Sequence, residues 1–76
     1  MEMFYTYILY NTKSDKYYIG STNNLQDRLY RHNSKQSKAT KSGAPFWIIA
    51  YEESFESRSL AVQREYKLKK MKSKKY

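Results

Sequence analysis

Residues 16–32, KYYIGSTNNLQDRLYRH, change character halfway along. The first half, KYYIGST, combines aromatic, β-branched and hydroxyl residues, which suits a strand. The second half, NNLQDRLYRH, opens on asparagine, a favoured helix N-cap, and predicts a helix from about Asn24 to about Asn33. On that helix Leu25, Arg28, Leu29 and His32 recur at intervals of three and four, so they share one face. Two of them are core-forming leucines; the others carry a guanidinium and an imidazole. Polar groups buried without partners are costly. Arg28 and His32 therefore belong at the edge of a packed stripe, reaching into a cleft.

The rest of the chain builds around this stretch. Residues 4–10, FYTYILY, predict a strand with Tyr5, Tyr7 and Leu9 on one face and Phe4, Thr6, Ile8 and Tyr10 on the other. Both faces are apolar enough for a strand covered on both sides. NTKSD (11–15) is turn chemistry, so the chain opens with a β-hairpin. On the second strand Tyr18 and Gly20 share one face, and Tyr17 and Ile19 the other. Gly20 has no side chain, so another group can approach the backbone there. Residues 34–45 are polar, basic and closed by Gly43 and Pro45, which predicts a loop. A third strand is expected over 46–53. A second helix follows from Glu56 or Ser57 to about Met71, with Leu60, Ala61, Leu68 and Met71 as its inner stripe. Glu65 falls on that same stripe. From about residue 70 to 76 a basic tail is expected. The expected fold is α+β: a small, three-stranded, mostly antiparallel sheet flanked by helices, in the order β-β-α-β-α, as a single domain over 1–76.

At 76 residues the core must be thin, and without cysteine no disulfide can reinforce it. Nine tyrosines, three phenylalanines and Trp47 supply the bulk instead. The absence of cysteine, of a membrane-spanning apolar run and of a signal-peptide pattern fits a cytoplasmic protein. The formal net charge is +8, and seven of the fifteen basic residues follow Gln63 while five more lie between Arg28 and Lys41. Such clustering points to a polyanionic partner, nucleic acid first.

A cation, an imidazole, a carboxylate and phenols converging on one cleft suit phosphodiester chemistry. Arg28 can neutralise phosphate oxygens with its planar fork. A single carboxylate such as Glu65 can hold a divalent ion whose other ligands are water and substrate phosphate. A phenol or the imidazole can relay a proton. Each residue also has a structural reading: Tyr7 and Tyr18 as core aromatics, His32 as a satisfied structural histidine, Arg28 and Glu65 as an interhelical ion pair.

Taken in order, these residues resemble the GIY-YIG nuclease superfamily. Tyr18-Ile19-Gly20 matches the second half-motif outright. Tyr5-Thr6-Tyr7 stands in place of the first and keeps its final tyrosine, eleven residues before Tyr18. Arg28 follows Tyr18 by ten residues, where the family has a helical arginine, and His32 follows four later, at a commonly histidine position. Glu65, in Arg64-Glu65-Tyr66-Lys67-Leu68-Lys69, matches a metal-binding glutamate. The short form, with YIGST, a basic loop and Ala61, Glu65 and Lys69 spaced by four, is similar to the small stand-alone UPF0213 (YhbQ-like) type. The resemblance implies metal-dependent hydrolysis of DNA, with relatives in DNA repair and recombination. Arg28 would hold the phosphate, Glu65 would bind one Mg²⁺ or Mn²⁺, Tyr7 or Tyr18 would help deprotonate water, and His32 would assist. Arg31, Lys35, Lys38, Lys41, Lys69 and Lys70 would contact DNA through its phosphates. The resemblance departs at one further point: no asparagine follows Glu65, where many members carry one. A nucleic-acid-binding module without turnover is the alternative. A small interaction protein using Trp47 and exposed tyrosines is the third reading.

Overall fold

In the computed structural model, which describes residues 2–38 and 40–74, β1 (Phe4–Asn11) is the middle strand of the sheet. It pairs antiparallel with β2 (Tyr17–Thr22) on one side and with β3 (Trp47–Phe55) on the other. A helix packs on each face of the sheet, which explains why both faces of β1 are apolar. Thr6 on one face and Tyr7 and Leu9 on the other are all buried. A bulge between Ile8 and Leu9 shifts the register against β3. At the hairpin turn the Asn11 carboxamide oxygen accepts from the Lys13 and Ser14 amides, at 3.1 and 2.9 Å. This is the local bonding that makes asparagine a turn residue.

The first helix, α1 (Leu25–Asn33), starts where its sequence says it should. The Asn24 side chain accepts from the Asp27 amide at 3.0 Å, and Thr22 Oγ1 in turn accepts from the Asn24 amide at 3.1 Å. Its end is a Schellman turn: the Gln36 amide reaches the Arg31 carbonyl at 3.0 Å, and Lys35 takes φ 67°. Glycine or asparagine usually holds that position. Leu25 and Leu29 pack against the buried cluster of Tyr7, Leu9 and Trp47, so the main core lies between α1 and one face of the sheet.

The second helix, α2 (Arg58–Lys74), packs against β2 and β1. The Ser57 hydroxyl accepts from the Leu60 amide at 3.2 Å, and Thr6 donates to the Ala61 carbonyl at 2.6 Å. Cross-strand partners lie on the same face, so Thr6, Ser21 and Glu53 form one row, and the Arg64 guanidinium meets Glu53 at 2.8 Å.

The architecture is the expected α+β arrangement in the order β-β-α-β-α. Three local readings change. β3 runs to Phe55 rather than stopping at Glu53, because its pairing with β1 continues to Phe4. The inner stripe of α2 is Ala61, Glu65 and Leu68; Leu60 and Met71 are 48% and 60% exposed, because the helix face is set by Ala61 against β1. The stretch read as a tail from about residue 70 is helical through Lys74, continuing the lysine-rich turns of α2; residues 75 and 76 lie outside the described residues. Among the described residues no helix is long and apolar enough to cross a membrane.

Candidate active site

Gly20 sits directly opposite Tyr7 in the β1–β2 ladder, so the two share a face. A Cβ on Gly20 would lie 2.6 Å from the Tyr7 hydroxyl. The group that approaches the Gly20 backbone is therefore the Tyr7 phenol, which lies across the glycine instead of standing off the sheet. This places Tyr7 Oη 3.1 Å from His32 Nε2. Tyr18, two residue pairs along and so on the same face, tilts over the imidazole with ring centroids 4.9 Å apart. Three residues from three elements thus meet in one place: β1 brings Tyr7, β2 brings Tyr18, and α1 brings His32.

The other nitrogen of the ring is also engaged. His32 Nδ1 lies 2.6 Å from Thr40 Oγ1. The loop that carries Thr40 is fixed in turn. Trp47 Nε1 donates to the Thr40 carbonyl at 3.0 Å, and the Asn11 side-chain Nδ2 donates to the Gly43 carbonyl at 2.7 Å. The Asn33 side chain brackets the Trp47 backbone, accepting from its amide and donating to its carbonyl, both at 2.9 Å. Gly43 allows this packing, since a Cβ there would lie 2.8 Å from the Trp47 indole.

Burial sets the protonation states. It pushes the Tyr7 phenol above its ordinary range, reinforced by Tyr18. Arg28 and Glu65 act on the same phenol in opposite senses, the cation lowering its pKa and the carboxylate raising it. Burial and the neighbouring Arg28 charge hold His32 below the ordinary histidine value, so the imidazole rests neutral.

Arg28 and Glu65 do not form an ion pair. Glu65 Oε2 accepts from Lys69 Nζ at 2.8 Å, one helical turn along α2. Arg28 Nε is buried with no hydrogen-bond partner among the described residues. An arginine donor left unpaired in a half-buried position is costly, and an anion would relieve it. The Glu65 side chain is 18% exposed and its partner Lys69 49% exposed, so the carboxylate is held by a lysine that can swing into solvent. Among the described residues no group of three or more histidine, cysteine, aspartate or glutamate side chains could cage a metal. The donor set fits an ion bound by one carboxylate, water and substrate oxygens, as Mg²⁺ is bound.

Residues 3–76 match the GIY-YIG catalytic domain. The chain belongs to the GIY-YIG family. This is a nuclease family. Within it the chain is of the UPF0213 type. It is 39% identical to a UPF0213 protein of Staphylococcus haemolyticus over 70 residues, 91% of this chain and 83% of the relative. It is 38% identical to one of Oceanobacillus iheyensis over 71 residues, 92% of this chain and 80% of the relative. A UPF0213 protein of Clostridium perfringens is 40% identical over 70 residues, 91% of this chain and 73% of the relative. No solved structure matches the chain.

In this GIY-YIG chain the structure brings together Tyr7, Tyr18, Gly20 and His32, with Arg28 and Glu65 close enough to act on Tyr7. The expected basic contacts are spread more widely. Lys35, Lys38 and Lys41 line an open depression of about 480 Å³ with Ser42 and Ala44. Arg31 is exposed and paired with Asp27 at 3.1 Å, Lys69 is tied to Glu65, and Lys70 is exposed on α2. Trp47 is not part of an exposed patch: it is buried, and its indole nitrogen is used inside the fold. Thr40, Asn33 and the reach of Asn11 to Gly43 escaped the sequence reading. Thr40 had one signal, as the lone β-branched residue of the solvated stretch 34–45.

Proposed function

We propose that this GIY-YIG chain is a metal-dependent endonuclease that hydrolyses DNA phosphodiester bonds, in a repair or recombination setting. The observation that carries the reading is the Tyr7–His32 hydrogen bond beside an arginine whose buried Nε has no partner among the described residues. A phosphate is the anion that such an arginine suits, and a phenol–imidazole pair is proton-transfer equipment. Arg28 holds the scissile phosphate. Tyr7, packed beside Tyr18, first releases its own proton to solvent, favoured by the Arg28 cation, and as phenolate takes the proton of the attacking water, while His32 hydrogen-bonds its oxygen. Glu65 would hold one Mg²⁺ or Mn²⁺, which supplies positive charge to polarise the phosphate and favour deprotonation. Lys35, Lys38 and Lys41, with Arg31 and Lys70, guide the strand by its phosphates and read no bases. Lys69 releases Glu65 to engage the backbone.

Incubation of supercoiled plasmid and branched oligonucleotides with Mg²⁺, Mn²⁺ or EDTA tests the proposal. Wild-type protein cuts only with metal, and folded Glu65→Gln and Arg28→Ala variants do not cut. A folded variant as active as wild type overturns it. One observation favours the second reading, a nucleic-acid-binding module without turnover: the Lys69–Glu65 pair neutralises the carboxylate. Salt-dependent DNA binding without metal-dependent cutting on any of these substrates selects that reading.

A further inference from the structure

His32 makes two hydrogen bonds, and which nitrogen carries the proton decides what it does to Tyr7. Three hydrogens are available for the two bonds: one on the Thr40 hydroxyl, one on the neutral ring and one on the Tyr7 hydroxyl. Among the described residues each hydroxyl oxygen has one side-chain partner, the ring. One hydrogen is therefore left over. If the ring proton is on Nδ1, it points at Thr40, and the threonine hydrogen is stranded. Thr40 is 1% exposed, and a stranded buried donor is costly. If the ring proton is on Nε2, the leftover hydrogen is that of Tyr7, which is 2% exposed, so burial alone does not choose between the tautomers.

The two distances decide between them. Hydroxyl donors make shorter bonds than N–H donors. The Thr40–Nδ1 separation of 2.6 Å suits an O–H donor, whereas the Nε2–Tyr7 separation of 3.1 Å suits an N–H donor. We propose that Thr40 is a positioning residue: its hydroxyl donates to His32 Nδ1, fixes the proton on Nε2, and makes the imidazole a donor to Tyr7 Oη. The proposal rests on the nuclease reading only for its consequence. A donor at Oη stabilises the phenolate left once the Tyr7 hydrogen has passed to solvent, so His32 supports Tyr7 as a base rather than taking its proton. The threonine is placed for this by its own backbone carbonyl, which Trp47 Nε1 holds. Losing the hydroxyl therefore leaves that loop anchor in place.

His32 is the one histidine of the chain, so a long-range ¹H–¹⁵N correlation spectrum contains a single imidazole. Recorded well above the ordinary histidine pKa of about 6.5, wild-type protein gives a pyridine-like Nδ1 and a pyrrole-like Nε2. Thr40→Ser keeps that pattern, and Thr40→Val loses it. On DNA, Thr40→Val lowers the single-turnover cleavage rate about ten- to a hundredfold, with DNA affinity unchanged and Thr40→Ser near wild type. A protonated Nδ1 in the wild-type protein overturns the proposal, as does an unchanged tautomer in Thr40→Val. The spectrum needs neither DNA nor activity, so failure of the nuclease reading leaves this test intact. The wild-type spectrum is decisive whether or not the valine variant folds.

Discussion

Replacing Gly20 with alanine puts a methyl group where the Tyr7 phenol lies. Its carbon would sit 2.6 Å from Tyr7 Oη, 2.9 Å from Cζ and 3.2 Å from Tyr18 Cε2. Non-bonded carbon–carbon contacts settle near 3.5 Å, so Cζ of the phenol must move by roughly 0.6 Å. Tyr7 is 2% exposed and cannot swing into solvent. A shift of that size either stretches the 3.1 Å bond to His32 beyond hydrogen-bond range or drives the phenol into the imidazole. Overpacking of this kind costs about 2 kcal/mol. For a chain this short that is a fall in Tm of about 8 to 16 °C. Thermal unfolding followed by far-UV circular dichroism measures it. The double variant Tyr7→Phe/Gly20→Ala removes the closest atom, so its loss should fall short of the sum of the single losses by about 0.5–1 kcal/mol. A Gly20→Ala protein that melts with wild type, or strict additivity, refutes the claim that the glycine exists to admit the phenol.

Four further outcomes follow from the same geometry. Arg28→Met removes the unpaired buried Nε and raises Tm by a few degrees, about 1 kcal/mol, while abolishing the stabilisation that DNA gives the wild type; differential scanning fluorimetry with and without DNA reads both. Lys35→Gly relieves the φ of 67° at the end of α1 and stabilises by about 1 kcal/mol in urea unfolding, yet weakens DNA binding because it removes a lysine of the basic depression. His32 has a folded pKa below its unfolded one, so the unfolded state binds more protons in between. Its contribution is present above about pH 6.5 and is lost as pH falls through the folded value, and His32→Gln flattens that part of a pH–stability curve. Converting Lys35, Lys38 and Lys41 together to alanine reduces the slope of log affinity against log salt by about 3 in fluorescence anisotropy, without changing any sequence preference.

The sequence made the fold legible because its local signals agree with each other. Asn24 caps the helix it was expected to cap, Asn11 turns the hairpin, and the aromatic alternation of 4–10 belongs to a central strand. The helix stripe of Leu25, Arg28, Leu29 and His32 was readable from spacing, since three- and four-residue intervals on a helix are fixed by geometry. What spacing could not give was pairing. Arg28 and Glu65 read equally well as an ion pair, and only the fold shows Glu65 turned to Lys69 and Arg28 Nε without a partner among the described residues. Leu60 and Met71 looked like core because they are apolar, but the face of α2 is chosen by the small Ala61, whose carbonyl accepts from Thr6. Thr40 stayed hidden because its partners lie eight residues back and seven ahead, across a loop whose lysines dominate its composition.

β1 binds the two halves of the molecule through adjacent residues: Thr6 reaches α2 on one face while Tyr7 reaches His32 on the other. A single-residue insertion between them would put both side chains on one face. Either the phenol would leave Gly20 for the α2 side, or the threonine would leave the Ala61 carbonyl. Changes of length are absorbed readily in the hairpin turn at 12–15, but between Thr6 and Tyr7 they cost the molecule one of its two halves.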